Sequence, residues 1–135
     1  MVKTPKLYFL DTGLVSYLTE WSSPETLAAG AMAGPIFETY VFTELLKSYY
    51  HRLETPQVYY YRDKDGMEID FVFLKDETFY PVEAKRSATP RREWIAAFSR
   101  LYHLRKKDGP GGVICLYPQV LPLTPTASPI PVGLI

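Results

Sequence analysis

The chain has 135 residues, 15 Lys plus Arg against 15 Asp plus Glu, with 47% hydrophobic and 22% charged residues; this suits one core-bearing domain and excludes a disordered chain or a fibre. No run approaches the roughly 18–20 apolar residues of a membrane span, and residues 1–6 lack a signal peptide's apolar region, so a cytoplasmic location is expected. The lone Cys115 excludes an internal disulfide and a cysteine zinc site, so the fold must rest on packing.

Residues 6–10 read as a short strand or extended entry, after which Asp11 or Thr12 caps a short helix to Leu18 that Ser22 to Pro24 break. After Gly34 and Pro35, residues 36–52 carry the clearest helical period in the chain. Strand-like runs follow at 58–62, 68–74 and 78–84, separated by short polar turns, which predicts an antiparallel meander. Pro90 precedes a second amphipathic helix over residues 91–104, ended by the Gly- and Pro-rich residues 108–112. Residues 113–117 form a continuously apolar strand, suited to a buried position reached by a crossover and paired in parallel. The proline-rich tail, residues 118–135, is expected to lie along an edge or to be partly loose. This order predicts an α/β fold, one domain over residues 1–135, with a central mixed β-sheet of a three-stranded meander plus a further strand, flanked by helices.

Zero net charge hides an asymmetry along the chain. Residues 1–84 carry 7 basic and 13 acidic side chains, whereas residues 85–107 carry eight basic ones, Lys85, Arg86, Arg91, Arg92, Arg100, Arg105, Lys106 and Lys107, against Glu93 alone. Such a block attracts phosphate backbones. A solvated helix face is the plain alternative, and the block gains weight only beside metal-type carboxylates.

Several carboxylates fall in costly places. On the 36–52 helix, Glu38 lies near the middle of the face formed by Phe37, Val41, Phe42, Leu45, Leu46 and Tyr49, where an unpaired carboxylate is expensive to desolvate. It needs a cation, a metal or several donors; Glu44, nearer the edge, is a weaker case. On the second strand, alternation puts Asp70 on the face of Val72 and Leu74. On the third, Glu83 and Lys85 share a face with Ala84 on the other. A salt bridge accounts for that pair taken alone. Together, Asp70 and Glu83 on neighbouring strands can converge on one hard cation, Mg²⁺ or Mn²⁺, with Lys85 beside it. Such an ion polarises a phosphoryl oxygen and lowers the pKa of a bound water, and the reaction class implied is metal-assisted phosphodiester hydrolysis.

The pattern Glu38, then Glu68-Ile69-Asp70, then Val82-Glu83-Ala84-Lys85 resembles the PD-(D/E)XK nuclease superfamily, whose restriction-endonuclease-like core has the same element order. More closely, residues 6–14, Gly34-Pro35-Ile36-Phe37-Glu38, Val41-Phe42-Thr43-Glu44-Leu45 and Tyr61-Arg62-Asp63 resemble the C-terminal domain of unknown function of prokaryotic AAA-type ATPases, a likeness that runs from Lys6 to Tyr117. The resemblance implies Asp70 and Glu83 as metal ligands, the Ala84 carbonyl as a third, Lys85 as the catalytic lysine and Glu38 as the auxiliary carboxylate. It departs from the superfamily motif at Ile69, where a Pro is usual. It departs again in lacking a G-x-x-x-x-G-K-[ST] loop, so the chain looks like a severed or stand-alone C-terminal domain.

Other residues carry less. His51 and His103 make no local metal pair, although His103 shares a helix face with Arg92 and Arg100 and can reach phosphate. Cys115 reads as a small buried apolar residue, and strand propensity explains Tyr59-Tyr60-Tyr61 more cheaply than base stacking. Two functions follow: a Mg²⁺- or Mn²⁺-dependent nuclease acting on DNA through Glu38, Asp70, Glu83 and Lys85, with Arg86, Arg91, Arg92 and Arg100 on the phosphates; or an inactive nuclease-fold module for nucleic-acid or protein interaction.

Overall fold

Asp11 opens the first helix by accepting the backbone N–H of Leu14 at 2.9 Å, and α1 runs over Thr12–Leu18. The computed structural model describes residues 5–104 and 107–135. Residues 5–10 before α1 are irregular and pair with no strand, so the extended-entry alternative holds there. A second helix, α2 at Pro24–Ala29, stands where the sequence suggested only a break. Ser23 and Thr26 form a reciprocal capping box and Pro24 occupies the first turn, the signal that Ser-Pro-Glu-Thr carried. The long helix α3, Ala33–His51, lays Val41 into the core with Phe37, Phe42 and Leu45 half-buried around it.

The strands are β1 (Val58–Arg62), β2 (Glu68–Lys75), β3 (Thr78–Lys85), β4 (Lys107–Asp108), β5 (Gly111–Cys115) and β6 (Ala127–Pro131). They form one mixed sheet in the order β1-β2-β3-β5-β6, with β4 beside the start of β3. β1, β2 and β3 are the antiparallel meander, while β5 runs parallel to β3 and β6 parallel to β5. Pro81, in the middle of the central strand, falls in the gap between β3's two parallel partners, β4 at Thr78 and Phe79 and β5 from Val82 onward. There a missing N–H removes no ladder bond on that side. The proline-rich tail supplies β6, the edge strand, where Pro129 and Pro131 are tolerated for the same reason.

The sheet separates two apolar clusters. Phe71, Val82, Ala84 and Ile114 pack with Val41 on the α3 side, and Ile69 and Val72 pack with Ala97, Phe98 and Leu101 on the other. The segment covering this second side, Arg92–His103, is a 3₁₀ helix rather than the expected α-helix. With three residues per turn, Ile95, Phe98 and Leu101 stack in a single row on the sheet. β5 begins two residues earlier than expected because Gly111 and Gly112 extend into it. At Gly111 a Cβ would lie 2.5 Å from the Phe98 ring, so the absent side chain lets Phe98 dock against the strand. Among the described residues, no helix is long and apolar enough to cross a membrane.

Candidate active site

Asp70 is aimed by an irregularity in the sheet. Tyr59 pairs with Val72 and Tyr61 with Ile69, so β2 advances three residues while β1 advances two, and the extra residue falls at Asp70 and Phe71. This bulge breaks the alternation expected along β2. Ile69 joins Val72 on the 3₁₀ side and Phe71 turns toward α3, with Asp70 in the bulge between them. The β2–β3 ladder ends at Phe71 and Val82. Two residues on, the Ala84 N–H donates to Asp70 Oδ2 at 2.9 Å, so a carboxylate accepts where a backbone carbonyl of β2 would have done so.

Around Asp70 the charged groups alternate in sign. Lys85 Nζ lies 3.7 Å from Asp70 Oδ2 and 2.6 Å from Glu83 Oε2, as the shared face on β3 requires. On the other side Lys6 Nζ lies 3.6 Å from Asp70 Oδ1 and 2.5 Å from Glu38 Oε1. Tyr8 donates its hydroxyl to the same Glu38 oxygen at 2.6 Å, and its ring stacks on Phe42 with centroids 4.2 Å apart. The four predicted residues Glu38, Asp70, Glu83 and Lys85 are thus brought into one network, with Ala84 inside it.

Burial gives this network its electrostatics. Glu83 is 4% exposed and Asp70 7%. Burial first, and the neighbouring Asp70 charge second, push the Glu83 carboxyl up to about 7. For Lys85 burial pulls the pKa down, but the hydrogen bond and charge of Glu83, with Asp70 and Glu38 behind it, outweigh that pull and hold the ammonium above its ordinary range. Lys6 follows the same pattern, burial being outweighed by Glu38 and Asp70. The Tyr8 phenol is raised by burial and then by its bond to Glu38.

The donor chemistry fits a hard divalent cation. Glu83 Oε1 is buried and meets no hydrogen-bond partner among the described residues, a costly state that a metal ion would relieve. Asp70, level with Glu83 on the adjoining strand, offers the second carboxylate, and Ala84 lies on the chain between Glu83 and Lys85. As the side chains stand, no group of three His, Cys, Asp or Glu among the described residues is arranged to hold an ion; ammonium groups bridge the carboxylates instead.

The remaining candidates fall elsewhere. Arg86, Arg91 and Arg92 are exposed on the segment leaving β3 and entering the 3₁₀ helix, Arg91 pairing with Glu93 at 3.3 Å. Arg100 turns to the β1–β2 connection, where it meets Asp63 at 3.4 Å and Asp65 at 4.0 Å. Glu44 is taken by Lys47 at 2.7 Å, His51 is exposed in the last turn of α3, and Cys115 is buried in β5. Arg105 and Lys106 lie outside the described residues, as does the side chain of His103. Lys6 and Tyr8 received no chemical role from the sequence, although two residues of one polarity pattern in an extended stretch share a side.

A family model described as a domain of unknown function (DUF4143) matches residues 33–135, more than half of the chain, and covers Glu38, Asp70, Glu83 and Lys85. No curated protein and no solved structure matches. The chain belongs to this family, the domain of unknown function DUF4143.

Proposed function

We propose that the domain is a Mg²⁺- or Mn²⁺-dependent nuclease that hydrolyses DNA phosphodiester bonds, with a restriction-endonuclease-like core. The observation that carries the reading is the buried pair Asp70 and Glu83 on adjoining strands, with Lys85 against both and one Glu83 oxygen left without a donor among the described residues. Asp70, Glu83 and the Ala84 carbonyl would hold the ion. A bound divalent cation supplies charge to a phosphoryl oxygen and acidifies a water.

The chain's own groups do the rest. Lys85, fixed by Glu83, orients the attacking water and offsets the negative charge that grows on the phosphate. Glu38 completes the acidic cluster. Arg86, Arg91 and Arg92 contact flanking phosphates and position the strand; Arg100, tied to Asp63 and Asp65, is left out. The resemblance of residues 6–14 and of the α3 motifs supports a place as the C-terminal part of an AAA-type ATPase.

A second reading has one observation in its favour. Lys6 and Lys85 already neutralise Glu38 and Asp70, so the cluster can stand as a structural ion-pair network in an inactive interaction module. Incubation of single- and double-stranded DNA with the wild type, Asp70→Asn, Glu83→Gln and Lys85→Ala, in Mg²⁺, Mn²⁺ or chelator, separates them. Metal-dependent cleavage lost in all three variants supports the nuclease; DNA left intact by the wild type supports the module.

A further inference from the structure

We infer that Lys6 is a resident counter-ion of the candidate metal centre, which a divalent cation must displace and which therefore sets the cation affinity of the site. The inference rests on the metal-centre reading above and extends it to a residue before the family-matched span. Lys6 Nζ lies between Glu38 Oε1 and Asp70 Oδ1, the carboxylate oxygen that faces away from Ala84 and Lys85. It is also held over two ring faces, 5.2 Å from the Tyr60 centroid and 5.5 Å from that of Tyr8. An ammonium enclosed by two carboxylates and two aromatic faces occupies a cation site in all but name.

A divalent ion on Asp70 and Glu83 would share the Asp70 carboxylate with Lys6. A Mg²⁺-type ion sits about 2.0–2.1 Å from its carboxylate ligands, and its charge repels an ammonium held on the same carboxylate. The backbone around Lys6 permits its departure, because residues 5–10 carry no helix or strand bonds. Tyr8, pinned to Glu38 and stacked on Phe42, anchors the segment two residues away, so the Lys6 side chain can swing out while the chain stays docked. Lys85 differs: it grows from β3 itself and is fixed beside Glu83. Of the two ammonium groups, Lys6 is the one that exchanges.

The test follows Lys6 in the unmodified protein and Mn²⁺ affinity in a variant. Amine acetylation of Lys6, read by mass spectrometry against Lys47 and Lys64 as internal references, is expected to accelerate at least threefold on Mn²⁺ addition and to stay unchanged in Asp70→Asn. Lys6→Met, which keeps the length and removes the charge, is expected to bind Mn²⁺ at least tenfold more tightly than the wild type. Tyr8→Phe, which loosens the segment without changing charge, should shift affinity less than threefold. Wild-type Mn²⁺ binding that Asp70→Asn abolishes, together with unchanged or slower Lys6 labelling, overturns this inference and leaves the metal centre intact. Absence of Mn²⁺ binding in wild type and Lys6→Met alike overturns both. Should Lys6→Met fail to fold, the labelling of the wild type decides.

Discussion

Glu83 and Lys85 meet at 2.6 Å on one side of β3, yet the other carboxylate oxygen of Glu83 is buried with no donor among the described residues. Half of this carboxylate is satisfied and half is not. That imbalance, added to the nearby Asp70 charge, links the site to pH and to cations.

Burial and Asp70 raise the Glu83 carboxyl from its ordinary 4.5 to about 7. Between those values the native state keeps a proton that the unfolded chain has released, so stability falls as pH rises through this window and levels off above it. At about 1.4 kcal/mol per pKa unit the ceiling is about 3 kcal/mol. Urea unfolding of the metal-free protein at pH 5 and pH 8 should show the loss, and Glu83→Gln should flatten it. Equal pH slopes in wild type and variant would remove Glu83 as the cause.

Asp70 has two separable duties, a charge between two ammonium groups and an acceptor for the Ala84 N–H. Asp70→Asn gives up the first and retains an oxygen for the second. Asp70→Ala leaves the buried N–H without an acceptor and should be less stable than Asp70→Asn by about 1–3 kcal/mol. Chemical denaturation of the two variants measures the difference directly.

Tyr8 ties residues 5–10 to α3 through one hydrogen bond and one stacked ring. Tyr8→Phe keeps the ring on Phe42 and should cost about 1–2 kcal/mol. Tyr8→Ala loses the ring as well and should cost about 2 kcal/mol more. Similar melting curves for the two variants would show that the ring contributes nothing.

Gly111→Ala would drive a Cβ to 2.5 Å from the Phe98 ring and 3.3 Å from the Pro81 carbonyl. Overpacking of this kind costs about 1–3 kcal/mol. A thermal melt shows the loss, and Phe98→Leu in the same chain should recover part of it by making room.

Local pattern made much of the architecture legible. The meander followed from period-two runs split by polar turns, and α3 from a long apolar period after Gly34 and Pro35, because each is written within a few neighbouring residues. The carboxylate and lysine pattern at Asp70, Glu83 and Lys85 brought out residues that the sheet does bring together. Three features escaped because they depend on distant partners. The bulge at Asp70 and Phe71 is set by pairing with β1, the 3₁₀ winding of Arg92–His103 by its row of contacts on the sheet, and the position of Lys6 by Glu38, thirty-two residues away. No local period encodes such contacts.

The measurement that bears most directly on the metal centre is calorimetric titration of Mn²⁺ into the wild type, Asp70→Asn and Glu83→Gln at pH 8. Saturable binding by the wild type, lost in both variants while both stay folded, is the predicted result. No binding by the wild type, or equal binding by all three, would contradict a metal site built on Asp70 and Glu83.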